Sequence, residues 1–156
     1  RKNPNNETVR KALLKSVRPE FIQQATEKGV FICYMMSDGV FALDLALKLR
    51  AMGIQVFLDE LDTEETMDWG ETVNQALRDC AILLLVLSPD ALEDGEVSSE
   101  YRYFMYWGKI VVPVVAVDCD THAYPTMVKP IDFTKNTQHA LQQLQTLLTI
   151  DESANA

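Results

Sequence analysis

The spacing of hydrophobic residues changes repeatedly along this chain between residues 30 and 150. Apolar runs with few polar residues predict strands covered on both faces, at residues 30–34, 54–59, 81–88, 110–117 and 130–133. Between these runs, apolar residues recur three or four positions apart, which predicts amphipathic helices at residues 40–52, 69–80, 96–107 and 137–148. Strands that alternate with helices over short connections are typical of right-handed βαβ units. The pattern therefore predicts one α/β domain built on a doubly wound parallel sheet.

Two features depart from this regular pattern. Pro113 removes one backbone donor from the fourth predicted strand, so we expect that strand to lie at an edge or to carry a break. Residues 1–29 read as two helical pieces with a net charge of +4, whereas the remainder carries −13. We therefore expect three regions: an N-terminal helical linker at 1–29, a domain at 30–150 and a C-terminal tail at 151–156.

Composition and charge narrow the classes of partner. A net charge of −9 repels a phosphate backbone, so we expect no nucleic acid partner. The longest uncharged apolar run, residues 81–87, is far shorter than the roughly 20 residues that span a bilayer, so we expect no membrane segment. Cys33, Cys80 and Cys119 are widely spaced and form no C-x-x-C pair, which argues against a disulfide framework and a zinc site. The reducing cytoplasm is the expected compartment, and no metal is expected.

Chemistry in a sheet of this kind is expected beyond the carboxyl ends of the strands. The phosphate-binding patterns G-x-G-x-x-G and G-x-x-x-x-G-K-[ST] are absent, and so is the hydrolase pattern G-x-S-x-G. His122 and His139 fall in a late loop and on the last predicted helix, where we expect surface residues. Carboxylate chemistry remains, and Glu100 is the candidate because it falls near the start of the helix that follows the third strand.

Six motifs resemble, in order, those of Toll/interleukin-1 receptor (TIR) domains. They are F-I-C-Y at 31–34 with S-D at 37–38, V-F-L-D at 56–59 with D-W at 68–69, L-S-P at 87–89, Glu100, K-I-V-V-P-V at 109–114, and P-I-D-F at 130–133. The resemblance covers about residues 30–150 and is closer in style to bacterial members of the family. It implies a flavodoxin-like parallel sheet of five strands in the order 2-1-3-4-5, with helices on both faces.

The sequence departs from the family pattern at two places. The BB loop of the family usually carries Pro-Gly, where this chain has Glu64, Glu65 and Thr66, so a family-typical conformation of that loop is in doubt. The family's W-x-x-x-E motif has Glu96 in place of the tryptophan, which removes an aromatic wall for a substrate ring. The aromatic residues considered as its replacement are Tyr34, Tyr101, Tyr103 and Trp107, and the nearest basic residues for a pyrophosphate are Arg102 and Lys109.

Many TIR domains cleave NAD⁺ between ribose and nicotinamide, and the resemblance implies the same NAD⁺ nucleosidase activity here. It implies that NAD⁺ is the substrate, that no cofactor is needed, and that self-association through TIR–TIR contacts activates the domain. A fused sensor or effector domain is a further expected partner. The matching positions make Glu100 the catalytic residue, with a substrate site lined by Tyr34, Ser37, Asp38, Trp69 and Ser88.

Two other functions stay open on the sequence. A non-catalytic TIR–TIR scaffold is favoured by the altered BB loop and by the missing tryptophan. It predicts an assembly that survives Glu100→Gln and no turnover of NAD⁺. An enzyme like the nucleoside deoxyribosyltransferases, which use a glutamate nucleophile, predicts exchange of free bases and indifference to NAD⁺.

Overall fold

The computed structural model describes residues 19–59 and 69–149. Within them, five strands form one sheet: β1 (Val30–Cys33), β2 (Val56–Phe57), β3 (Ile82–Leu87), β4 (Ile110–Val115) and β5 (Ile131–Asp132). The spatial order is β2-β1-β3-β4-β5, and every neighbouring pair is parallel. The predicted flavodoxin-like order 2-1-3-4-5 is therefore confirmed.

Helices cover both faces of the sheet. They are α1 (Pro19–Lys28), α2 (Gly39–Ala51), α3 (Trp69–Asp79), α4 (Pro89–Leu92), α5 (Gly95–Tyr106) and α6 (Thr137–Leu148), with a 3₁₀ turn at Met36–Asp38. Two glycines allow sharp turns between elements. Gly29, before β1, and Gly53, after α2, have positive φ angles of 120° and 85°, which glycine adopts without strain. Across the described part of the chain, we find no helix of the length and apolarity that a membrane crossing requires.

Side chains of the central strands alternate between two hydrophobic cores, one on each face of the sheet. On β1, Val30 and Ile32 join the core that includes residues of α1, α2 and α6, whereas Phe31 and Cys33 join the core that includes residues of α3 and α5. All six residues of β3 are buried, as expected for the centre of a parallel sheet. This alternation directs the side chain of Cys33 towards α5.

The first described helix packs onto the domain. Ile22 and Ala25 of α1 are buried in the same core as α6, and Thr26 closes a buried hydrogen bond to the Ile22 carbonyl at 2.8 Å. Residues 20–28, the described part of the predicted linker after its first residue, thus pack against the core of the domain. The rest of the predicted linker, the predicted tail and the altered BB loop at 64–66 lie outside the described residues.

Two local predictions differ from the structure. Residues 89–92 form the short helix α4 where a loop was expected, because the Ser88 side chain caps it and Pro89 occupies its first turn. The prediction of an edge or broken strand at Pro113 is wrong, since β4 continues through it and pairs with β3 along its whole length. Pairing with β5 begins only at Val114, just beyond the proline, so the missing donor is tolerated.

Candidate active site

Glu100 lies on the face of α5 that is turned towards the sheet. It follows the buried Val97 by three residues and precedes the buried Phe104 by four, which is the spacing of one helical stripe. Its own side chain is half-buried. Since α5 starts at the carboxyl end of β3, this stripe places the carboxyl group at the edge of the sheet where sequence reasoning expected the site.

Cys33, the last residue of β1, packs against the helix that carries this carboxyl group. Its side chain is fully buried, and its Sγ atom lies 3.8 Å from the carbonyl oxygen of Val97. The Cys33 and Glu100 side chains also influence each other's pKa. Burial, followed by the negative charge of Glu100, raises the pKa of the Cys33 thiol well above its ordinary value, so the thiol stays protonated.

Burial also controls the charge of Glu100. Loss of solvent raises the pKa of its carboxyl group to about 7, while the Cys33 side chain acts in the opposite direction. Repulsion from Glu96, Asp59 and Asp94 raises this pKa further. At neutral pH, Glu100 is therefore divided between its protonated and ionised forms, as in many acid–base residues of enzymes.

Tyr34 joins the Glu100 surroundings through Asp59. Its hydroxyl donates a hydrogen bond to Asp59 Oδ1 at 2.5 Å, which connects the residue after β1 to the second residue after β2. Both side chains are partly exposed. The tyrosine hydroxyl is therefore bonded to one of the carboxylates whose charge acts on Glu100.

A second cluster of polar side chains connects the loop after β1 to the residues that follow β3. Ser88 Oγ donates to Asp38 Oδ2 at 2.5 Å and accepts from the backbone N–H of Ala91 at 3.1 Å. Ser37 Oγ donates to Asp90 Oδ2 at 3.1 Å. Three of the predicted lining residues, Ser37, Asp38 and Ser88, are thus brought together, and their polar atoms are engaged by neighbouring loops. Tyr34 is the fourth predicted lining residue, and of the fifth, Trp69, the structure describes only the backbone, which begins α3.

Three of the four aromatic residues considered as a replacement wall are engaged elsewhere. The Tyr101 hydroxyl donates to the Pro125 carbonyl at 2.6 Å, and its ring centroid is 4.7 Å from that of Tyr124. Tyr103 packs against Phe104 and Trp107, towards the far end of α5. Tyr34 is the member of that set that contacts Asp59, whose charge acts on Glu100.

Lys109 is not placed to bind a pyrophosphate at this site. Its Nζ atom donates to the carbonyl oxygens of Leu77, Arg78 and Cys80 at 2.8–2.9 Å, which satisfies the C-terminal end of α3. Lys109 also immediately precedes β4, so it lies at the edge of the sheet opposite the carboxyl ends. His122 and His139 are exposed, as expected from the sequence.

The structure adds four residues that sequence reasoning did not assign to the site. Cys33 was considered only as one of three scattered cysteines and Glu96 only as the replacement of a tryptophan, while Asp59 and Asp94 were given no role. The signals available in the sequence were the position of Asp59 at the end of a strand and the one-turn spacing of Glu96 from Glu100. Within the described ranges, no three or more histidine, cysteine or acidic side chains are grouped to hold a metal ion.

Comparisons with known proteins agree with this architecture. The family model described as "TIR domain" matches residues 30–148. The TIR domain of the Toll-related receptor TRR-2 from Hydra magnipapillata is similar in structure, with a TM-score of 0.63 and 18% identity over 77% of this chain and 98% of that one. A TIR-STING receptor from C. gigas, solved with 2′,3′-cGAMP, gives a TM-score of 0.61 and 17% identity over 77% of this chain and 39% of that one.

A third solved structure contains TIR domains within a larger assembly. It is the activated Roq1 resistosome recognising the effector XopQ, with a TM-score of 0.50 and 18% identity over 81% of this chain and 83% of that one. Among curated proteins, none matches the sequence. At these identities the solved structures show the fold, whereas the family model covers most of the chain. This chain therefore belongs to the TIR domain family.

Proposed function

We propose that this chain is an NAD⁺ nucleosidase that releases nicotinamide and ADP-ribose, or a cyclic isomer of ADP-ribose. The observation that supports the proposal most directly is the half-buried Glu100 at the carboxyl edge of a TIR fold, with a pKa of about 7. Perturbed carboxyl groups of this kind, at the ligand-binding edge of a sheet, are typical of catalytic sites.

The reaction suits a site with one well-placed carboxylate. The bond between C1′ of the ribose and the pyridinium nitrogen breaks, and its electron pair neutralises the ring as nicotinamide leaves. Since the leaving group departs uncharged, no general acid has to protonate it, unlike the leaving group of an ordinary glycosidase. A water oxygen, or a nucleophilic atom of the same dinucleotide, then bonds to C1′. In the water reaction, the proton that the water loses passes to Glu100 or to solvent.

In this proposal, ionised Glu100 stabilises the positive charge that grows at C1′ in the transition state. Electrostatic stabilisation of this type is usually a large part of enzymatic rate enhancement. Asp59, Asp94 and Glu96 add to the same negative field, since each interacts electrostatically with Glu100. The active form is the ionised one, so activity is expected to rise as the pH passes through about 7.

The same proposal assigns the substrate pocket to Tyr34, Ser37, Asp38, Trp69 and Ser88. Tyr34 is supported by its hydrogen bond to Asp59, a carboxylate whose charge acts on Glu100. Ser37, Asp38 and Ser88 are supported by their position after β1 and β3, at the edge where ligands bind in such sheets. Their mutual hydrogen bonds give that part of the pocket a defined shape.

The test is NAD⁺ consumption by the purified chain at high concentration, with nicotinamide quantified. Glu100→Gln is expected to lower kcat by about 100-fold or more, as expected for the loss of a main electrostatic stabiliser. Glu93→Gln is the matched control, because Glu93 is an exposed carboxylate just before α5 and should leave turnover unchanged. If the native chain does not turn over NAD⁺, even when assembly is forced by fusion or crowding, the proposed enzymatic activity is refuted. Equal turnover in native and Glu100→Gln chains would show that Glu100 is not the catalytic residue.

An assembly module without catalysis is the second candidate, and exposed apolar side chains favour it. Val40 of α2 is 87% exposed, and Tyr106 and Trp107 at the end of α5 are 81% and 62% exposed. Large exposed apolar residues are typical of surfaces that contact another protein. This candidate predicts concentration-dependent assembly, measured by light scattering, that Glu100→Gln leaves unchanged while NAD⁺ is never consumed.

A further inference from the structure

The connection from β4 to β5 leaves the same edge of the sheet as the proposed pocket. It comprises residues 116–130 and, apart from a single bridging residue at Val128, contains neither helix nor strand. Connections in compact domains usually take about 4–6 residues, and much longer ones without regular structure are usually functional or disordered. Because β4 lies beside β3 and parallel to it, this connection starts next to the residues that follow β3. Its length and its place at the ligand-binding edge indicate a role beyond joining two strands.

Backbone hydrogen bonds fix the start of this connection beside Ser88. The amide groups of Ala116 and Val117 both donate to the carbonyl oxygen of Leu87, at 2.9 and 3.4 Å. Leu87 is the last residue of β3 and directly precedes Ser88, whose hydroxyl donates to Asp38. The connection therefore begins next to the Ser88–Asp38 pair of the proposed pocket.

A second attachment of the connection lies on α5. The Tyr101 hydroxyl donates to the Pro125 carbonyl at 2.6 Å, and the Tyr101 ring centroid lies 4.7 Å from that of Tyr124. Both rings pack against the core that includes residues of α3 and α5. Tyr101 directly follows Glu100 in α5. The connection is therefore attached once beside Ser88 and again at the helix residue next to Glu100.

The span between these attachments, residues 117–124, forms a turn of its own. The amide groups of His122 and Ala123 donate to Asp120, to the side chain at 3.0 Å and to the carbonyl at 3.4 Å. Cys119 packs against the core, whereas most of the span is exposed. A local turn does not fix its own orientation relative to the sheet. That orientation therefore depends on the few contacts that the span and its ends make with the body of the domain.

We propose that Tyr101 is a positioning residue, whose hydroxyl and ring hold residues 117–125 as the wall of the substrate pocket on the β4 side. In this role Tyr101 does not touch the substrate, since its hydroxyl is bonded to Pro125. The effect on substrate binding rests on the proposed NAD⁺ nucleosidase function. The attachment itself does not, because it is a contact within the folded chain.

Attachment of a pocket wall acts on substrate binding through preorganisation. A ligand binds tightly only to the fraction of molecules in which the wall is in place, and its apparent Kd rises as that fraction falls. One hydrogen bond of this kind shifts a local equilibrium by about two- to tenfold. Because the chemical step is assigned to Glu100, loss of the attachment is expected to raise KM for NAD⁺ more than it lowers kcat.

The direct experiment is hydrogen exchange of residues 117–124, followed by mass spectrometry. Tyr101→Phe keeps the ring and loses the hydroxyl, and is expected to make this segment exchange about two- to tenfold faster. Tyr124→Leu removes the ring contact from the other side and is expected to act in the same direction. Tyr106→Phe is the matched control, since Tyr106 is an exposed tyrosine of the same helix.

The exchange of β3 separates release of this loop from a general loss of stability. Buried amides of the central strand exchange when the whole domain opens, so in Tyr101→Phe they are expected to change less than residues 117–124. An equal acceleration of β3 and of the loop would overturn the proposal. It would also be overturned if the loop exchanged at the native rate in both Tyr101→Phe and Tyr124→Leu.

Turnover separates this inference from the proposed function. If NAD⁺ is consumed, KM is expected to rise about twofold or more in Tyr101→Phe and further in Tyr101→Leu, with kcat within about twofold of native. If the chain consumes no NAD⁺ but the loop is released as described, the attachment stands, and the NAD⁺ pocket fails together with the nucleosidase function. If NAD⁺ is consumed with the native KM in every variant, the function stands and the positioning role of Tyr101 fails.

Discussion

Tyr34 and Asp59 are joined by a hydrogen bond of 2.5 Å between the phenolic hydroxyl and Oδ1. The bond connects the loops that follow β1 and β2, two adjacent strands of the sheet. It fixes the orientation of Asp59, one of the carboxylates that interact with Glu100. The bond therefore links an aromatic side chain to the electrostatic surroundings of the proposed catalytic residue.

Removal of the Tyr34 hydroxyl should lower the stability of the folded domain and leave the Asp59 side chain less restrained. Tyr34→Phe is expected to cost about 1–2 kcal/mol of unfolding free energy, because the bond involves a charged acceptor. The measurement is urea unfolding, with Tyr106→Phe as the control at an exposed tyrosine of α5. A Tyr34→Phe chain as stable as the control would show that the hydrogen bond contributes nothing to the fold.

The stability of the native chain should fall as the pH rises from about 4.5 to about 7. Folding raises the pKa of Glu100 from 4.5 to about 7, so the folded state holds this proton more tightly than the unfolded state. Stability from this group is complete below pH 4.5 and is lost as the pH passes through 7. At pH 8 the buried negative charge costs at most about 3.5 kcal/mol, at about 1.4 kcal/mol for each pKa unit.

Glu100→Gln removes this cost and makes the effect measurable. The variant is expected to be more stable than the native chain at pH 8, with a difference that shrinks towards pH 5. The measurement is the unfolding free energy of both chains across that range. A difference that is constant with pH would contradict the raised pKa of Glu100, whatever its sign.

Neutralising a neighbouring carboxylate should move the pH dependence of turnover. Repulsion from Glu96 raises the pKa of Glu100, so Glu96→Gln is expected to lower it. If NAD⁺ is the substrate, the acid limb of the kcat profile then moves from about pH 7 to lower pH. Glu93→Gln again serves as the control for a lost surface charge, and an equal displacement in both variants would indicate a general charge effect.

Ser88 should be important for stability as well as for the proposed pocket. Its hydroxyl caps α4 and donates to Asp38, so Ser88→Ala loses both bonds at a buried position. We expect a loss of about 1–3 kcal/mol, measured by thermal or urea unfolding. Ser99→Ala, at an exposed position on α5, is the control. A stable Ser88→Ala chain with impaired turnover would assign the hydroxyl to the substrate instead.

Much of the fold was predictable because buried strands and amphipathic helices have characteristic local patterns of apolar residues. The six residues of β3 are apolar and buried, and the stripes of α2 and α6 repeat with helical spacing. A parallel strand needs apolar side chains on both faces, which leaves few alternatives for such a run. The short helix α4 was missed because a four-residue helix has too little periodicity to be distinguished from a loop, although its Ser-Pro start was visible.

The candidate site was only partly predictable, because its contacts join distant parts of the chain. The sequence by itself determined that several carboxylates follow the strands and that Glu100 lies in the helix after the third strand. Tertiary structure alone decided that the thiol of Cys33 contacts the Val97 carbonyl of α5, and that Lys109 caps α3 instead of facing the site. The physical reason is that sequence periodicity determines which face of its own strand or helix a side chain occupies. Which two faces come into contact depends on how the elements pack in the core.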